Sequence, residues 1–150
     1  MVVITASTGY ADAIAGARLA SATRAPLLLT GSEDLDAGVA AELRRVAAVY
    51  VLGGQDTLSP TVSAALQDPS TSYTLTRIAG ADRFATASAV ADRVSAAVPG
   101  TSTAPVYLAS GTDHPDGLAL LGVGCGHRWG GPAHRRAVVA GGDPRLPRRP

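Results

Sequence analysis

Residues 2–16 read VVITASTGYADAIAG, and residues 105–119 read PVYLASGTDHPDGLA. Both stretches run apolar strand, Ala-Ser, a Gly/Thr turn, an Asp, then a small residue and an aliphatic one. Ser7 pairs with Ser110, and Asp12 with Asp116 after a one-residue slip. A β-branched run that stops at a tight turn and restarts as an alanine-rich helix is the opening of a βαβ unit. Its recurrence means that the chain holds more than one copy of a unit of about 100 residues.

The chain between the copies repeats the alternation. Pro26-Leu27-Leu28-Leu29-Thr30 reads as a second strand, with proline at the first position where a strand tolerates it. Leu35, Val39, Leu43 and Val46 form one helical stripe. Val49–Leu52 is a third strand, stopped by Gly53-Gly54. Ser59-Pro60 reads as an N-cap followed by proline at the first helical position, with Val62 and Leu66 facing inward. Tyr73–Ile78 is a fourth strand. Asp82 caps a longer helix with Phe84, Ala87, Val90, Ala91, Val94 and Val98 on its apolar stripe, and Pro105–Ala109 is a fifth strand. The expected fold is therefore α/β, three-layer, with a mostly parallel sheet and helices on both faces.

Composition narrows the function classes. Of the 150 residues, 46% are hydrophobic and 4% aromatic, so the core is built from Ala, Val and Leu. The single cysteine, Cys125, excludes an internal disulfide and a multi-cysteine zinc site. No apolar run reaches the ~20 residues of a membrane span, and no signal peptide precedes the first strand. The formal charge of +1 hides an asymmetry: residues 1–122 carry seven Arg against eleven acidic groups, whereas residues 123–150 carry six Arg against one. A basic tail suits nucleic acid or an anionic polymer. In residues 123–150, however, 16 of 28 positions are Arg, Gly or Pro, and no helical or strand period survives beyond a short Ala-Val-Val run. Residues 122–150 are therefore expected to be a frame-shifted, disordered tail. One GC-rich back-translation from Gly122, read one base later, gives ASGAATGGAGPLTV, which restores a small-residue helix and a Gly-Pro-Leu strand start. On that reading the tail's charge says nothing of a nucleic-acid partner.

Ser7 sits where hydrolases place a nucleophile, on a turn between strand and helix. A nucleophile needs a base in reach, and no histidine precedes His114. The second copy also loses the Ser-x-Gly turn. Ser7 and Ser110 are expected to cap the following helix or to satisfy turn amides. Asp12 and Asp116 lie early in a helix, where a carboxylate suits the positive end of the dipole. Both also lie beyond the carboxyl end of a strand, where open α/β sheets bind ligands, so both are candidate ligand contacts. Arg77 and Arg83 flank the loop before the long helix. They are candidates for bidentate contact with an acidic polymer, or for an ion pair with Asp82 or Asp12. Gly53-Gly54 lacks a Gly-x-Gly-x-x-Gly pattern and a following Lys-Ser/Thr, so it reads as a turn needing positive φ and not as a nucleotide site. His114, Cys125, His127 and His134 match no zinc spacing. No metal or cofactor is expected.

RIAGADRFATASAVADRV (77–94), VYLASGTDHPDGLA, APLLLT and VYVLGGQDTLSPTV (49–62) together resemble the cell wall-binding repeat 2 family. The family pattern has an Arg-x-x-Gly-x-x-Arg-aromatic-x-Thr-Ala segment, an Ala-Ser-Gly…Pro-Asp-Ala-Leu-Ala turn, a Pro-Ile-Leu-Leu strand and a Leu-Gly-Gly turn. The resemblance covers about residues 2–121, with Tyr10-Ala11-Asp12 where the family often has Pro-Asp. It implies residues 2–73 as the latter part of one repeat and 74–121 as the opening of the next. It also implies a fragment of a secreted, wall-located protein whose repeats pack as a pseudo-threefold assembly. The implied role is non-catalytic attachment to an anionic wall glycopolymer, with Pro26, Leu27, Leu28 and Leu29 in the segment associated with polymer binding. The residues themselves read as core strand that shapes a site. The alternatives are a small serine- or aspartate-dependent hydrolase acting on wall polymers, and a degenerate gene piece without function. Residues 2–98 hold each repeat element once in permuted order, so they are expected to fold as a permuted single domain, with 105–121 surplus.

Overall fold

The protein is described here by a computed structural model covering residues 1–97, 106–112, 114–125 and 136–140. Its centre is β1 (Val2–Ala6), whose five residues are all buried. Such continuous apolar burial requires cover on both faces, as in parallel sheets. Strands β2 (Leu27–Thr30), β3 (Ala48–Leu52) and β4 (Thr74–Ile78) join it in the order β2-β1-β3-β4, every pairing parallel. The register runs Val3 to Leu27 on one side of β1 and Val3 to Tyr50 on the other.

Alternation along the strands sends side chains to two cores. On one face Val3, Tyr50, Leu52 and Ile78 pack against helices α1 (Tyr10–Thr23) and α4 (Arg83–Ala97), through Ile14, Leu19, Val90 and Val94. On the other, Val2, Ile4, Val49 and Val51 meet α2 (Ala37–Leu43) and α3 (Pro60–Leu66), through Val39, Leu43, Val62 and Leu66. The result is the three-layer α/β arrangement that the alternation predicts. Each fully buried Leu, Ile or Val side chain contributes ~1.5–3 kcal/mol.

Local chemistry sets the helix starts. The Ser59 Oγ accepts from the Val62 N–H at 3.4 Å, with Pro60 at the first helical position. Asp82 Oδ1 accepts from Phe84 N at 2.9 Å and Ala85 N at 2.7 Å. Both caps follow the sequence reading. Helix α2 is shorter than its stripe: Leu35 and Val46 lie outside it yet pack against the same core as Val39 and Leu43. Val98 lies outside the described residues.

Within residues 2–97, β1 to β4 thus close one four-stranded sheet with α1 to α4 packed on it. The fifth strand, β5 (Val106–Ser110), does not join that sheet. It pairs in parallel with β6 (Arg136–Ala140), and α5 (His114–Cys125) links the two. Helix α5 packs against α1, and β6 lies against α4. The sequence reading leaves 122–150 without regular structure. The structure instead finishes α5 with residues 122–125 and forms β6 from Arg-Ala-Val-Val-Ala, where the apolar run the sequence does show meets a ready strand edge.

Candidate functional site

In the order β2-β1-β3-β4 the chain leaves β1 for β2 on one side, then crosses back past β1 to place β3 on the other. Ligands of open α/β sheets bind at such a switch point, beyond the carboxyl ends of the strands. Here the loops after β1, β3 and β4 surround a cleft of about 290 Å³, lined by Thr8, Gly9, Asp12, Asp56, Thr57 and Arg83 among others.

Asp12 forms part of the cleft wall. It lies in the first turn of α1, whose N-cap, Gly9, supplies no side-chain cap, and it is nine-tenths buried. The Thr57 hydroxyl donates to Asp12 Oδ2 at 3.3 Å. Burial pushes the Asp12 carboxyl above its ordinary value of 3.8, while the Thr57 bond and the Arg83 charge pull the other way. Gly53 makes room for this group. Its φ is +93°, and a Cβ there would lie 2.6 Å from Asp12 Oδ2 and 2.8 Å from the Thr57 side chain. The Gly53-Gly54 turn is thus the positive-φ turn expected, and it also forms one side of the Asp12 pocket.

The two arginines are already engaged inside the protein. Arg77 Nη1 donates to the carbonyls of Gly53 and Gly54 at 2.7 and 3.1 Å, and its Nη2 donates to Ser63 Oγ at 2.6 Å. Its burial lowers the guanidinium from its ordinary range. The ion pair considered for Arg77, with Asp82 or Asp12, gives way to carbonyls because β4 lies beside β3 and points Arg77 at the turn. Arg83 Nη1 donates to Tyr10 Oη at 3.0 Å and to the Gly111 carbonyl at 3.2 Å, and the guanidinium lies 5.6 Å from the Tyr10 ring centroid. Tyr10 Oη in turn donates to the Thr112 carbonyl at 3.4 Å. Arg83 therefore clasps the second copy's turn onto the first unit. Gly111 fits because its missing Cβ would stand 2.0 Å from the Phe84 ring.

The remaining candidates scatter. Asp116, in the first turn of α5, is exposed and does not line the cleft. Pro26, Leu27, Leu28 and Leu29 do not form a core strand. β2 is an edge strand, Pro26 is exposed, Leu27 and Leu28 are half-buried, and Leu29 is 50% exposed. Apolar composition does not distinguish an edge from a centre; pairing on one side only leaves these residues partly uncovered. Ser7 is exposed and does not cap α1, which starts at Gly9 without a side-chain bond. Ser110 accepts from the Thr112 N–H at 3.3 Å, the turn-amide role expected of it. The side chains of His114 and Cys125, and His127 and His134 altogether, lie outside the described residues. Among the described residues no cluster of three or more His, Cys, Asp or Glu is arranged to hold a metal ion.

Thr57, Asp56 and Tyr10 are site residues that the sequence reading passed over. The signal for the first two was their place three and two residues beyond Gly53-Gly54. It acquires meaning only once β3 is known to lie beside β1.

The family model for cell wall binding domain 2 matches residues 2–63 and 77–123. A relative, the N-acetylmuramoyl-L-alanine amidase LytC of Bacillus subtilis (strain 168), is 36% identical over 96 residues, 63% of this chain and 19% of that protein. Among solved structures, Cwp8 from Clostridium difficile superposes with a TM-score of 0.75 at 22% identity, over 93% of this chain and 23% of that one. Cwp6 from the same organism gives 0.73 at 25% identity, over 93% and 21%. The chain therefore spans about a fifth of the length of each of these proteins.

Proposed function

The chain belongs to the cell wall binding domain 2 family, and from that premise we propose that it is a non-catalytic unit that attaches a secreted protein non-covalently to an anionic glycopolymer of the cell wall. Family membership implies a location at the cell wall or surface. The observation that carries the reading is the joint match of two segments, 2–63 and 77–123, to one wall-binding model. In repeat terms, residues 2–73 are the latter part of one repeat and 74–121 the opening of the next, and neighbouring repeats are the second partner. The match ends at residue 123, beside the change of composition. That supports a frame-shifted origin for 122–150, which sequencing of the gene decides.

The site chemistry fits binding better than hydrolysis. Ser7 is exposed and has no described base beside it, and Asp12 is held by a threonine. The two arginines that were candidates for acidic groups, Arg77 and Arg83, hold carbonyls, a serine and a tyrosine, which leaves them less available to a polymer. One such unit binds weakly and gains strength when linked to others.

The test is co-sedimentation with purified Gram-positive walls before and after acid extraction of their anionic polymers. The expected result is a fraction that pellets with intact walls, falls with added salt, and is lost on extraction. Equal pelleting with extracted walls would contradict the polymer assignment. Release of soluble wall fragments that Ser7→Ala abolishes would establish the hydrolase instead.

A further inference from the structure

We propose that the switch-point cleft is a subsite for a neutral, hydroxyl-rich sugar ring, which donates hydrogen bonds to Asp12 and Asp56 in place of any pairing of acidic groups with arginine. The proposal rests on the wall-polymer reading above and names which part of such a polymer this cleft takes. Its volume, about 290 Å³, is at the low end of the range for ligand sites, roughly 300–1,000 Å³. That accommodates one ring and not an extended chain.

Charge decides against an acidic ligand group. Asp12, Asp56 and Asp82 line the cleft against one cation, Arg83. Arg83 is committed to Tyr10 and to the Gly111 carbonyl. A carboxylate or phosphate entering here would meet three carboxylates against one guanidinium, an excess of like charge that weakens association.

The acceptor geometry favours hydroxyls. An ionised carboxylate is acceptor-only, with about four lone-pair sites. Asp82 uses Oδ1 to cap α4. Asp12, although nine-tenths buried, has one hydrogen-bond donor among the described residues, the Thr57 hydroxyl, and that bond is long at 3.3 Å. A buried carboxylate so thinly supplied is stabilised by further donors, and sugar hydroxyls supply them without a charge of their own. Gly54 on the wall leaves space for a ring to approach the backbone closely, since a Cβ there would meet nothing within 4 Å.

The experiment is a titration of the isotopically labelled full chain at constant ionic strength, followed by amide chemical shifts. The probes are the methyl glycosides of glucose, mannose and N-acetylglucosamine, with glucuronate as the acidic counterpart. At least one neutral glycoside should shift Gly9, Gly54, Thr57 and Gly80 saturably in the millimolar range, with glucuronate about tenfold weaker or more. Asp12→Ala should lower the affinity about tenfold or more, whereas Asp92→Asn, on the exposed side of α4, should leave it unchanged. If Asp12→Ala does not fold, Asp56→Ala on the exposed loop carries the same expectation. Glucuronate binding as well as or better than the neutral glycosides, or no saturable shift of these amides by any probe, would overturn the proposal. Absent shifts with wall sedimentation intact would remove the subsite and leave the wall reading. Shifts without sedimentation would instead remove the wall polymer as the source of the sugar.

Discussion

The first-copy stretch 2–16 and its second-copy match 105–119 share strand, turn and helix, yet they meet different surroundings. Thr5 is fully buried, and its counterpart Leu108 is 64% exposed. Ile14 is 9% exposed in the core, while its counterpart Leu118 is 53% exposed. Asp12 is buried in a cleft, and Asp116 lies on the surface. The sheets explain the contrast. β1 has a strand on each side and helices over both faces; β5 has β6 on one side. What recurs in the sequence is a strand-to-helix junction. Whether that junction becomes a core and a site depends on β3 and β4, which the first copy has in its sheet and the second lacks among the described residues.

The largest expected effect breaks the comparison at matched positions. Ile14→Ala should destabilise the protein by about 2–4 kcal/mol through cavity formation. Leu118→Ala, at the equivalent place, should cost less than about 1 kcal/mol. Urea titration of both variants checks this, and equal losses would mean that the second copy is as fully packed as the first.

A smaller effect isolates the junction between the copies. In Gly111→Val the new side chain meets the Phe84 ring, since even a Cβ would stand 2.0 Å from it. The turn should lift off α4 at a cost of about 1–3 kcal/mol. Hydrogen exchange should then accelerate in α5 and not in β1. Pairing the change with Phe84→Ala should restore part of the protection.

The smallest effect concerns the aspartates. Burial raises the folded Asp12 pKa above its ordinary 3.8, so the charged form costs stability. The penalty is absent below about pH 3.8 and grows as pH rises through the folded value. Asp12→Asn removes it and retains an acceptor for Thr57. The variant should therefore melt slightly higher than the parent near pH 7, with the difference vanishing as pH falls toward 3.5.

Much of the first unit was legible in the sequence because its signals are local. The β-branched run of Val2–Ala6, the Ser59-Pro60 start and the Asp82 cap each act within a few residues. Sheet order is not local. The Pro-Leu-Leu-Leu run looks the same at an edge as at a centre, so β2's position was not legible. The arginine partners were hidden for the same reason: Arg77 reaches carbonyls 24 and 23 residues away, and Arg83 reaches Gly111 across 28. Asp12 was found because the internal repeat singled it out. Thr57 was missed because a threonine in a loop carries no pattern of its own until β3 is set beside β1.

The central claim, that this chain is one weak binding unit and not a self-sufficient binder or an enzyme, is tested most directly by titrating intact walls with the single chain and with two chains linked in tandem. The account predicts weak binding by one chain, a gain of about a hundredfold or more on linking, and no soluble wall fragments from either. Tight, saturable binding by the single chain to which linking adds nothing would contradict it.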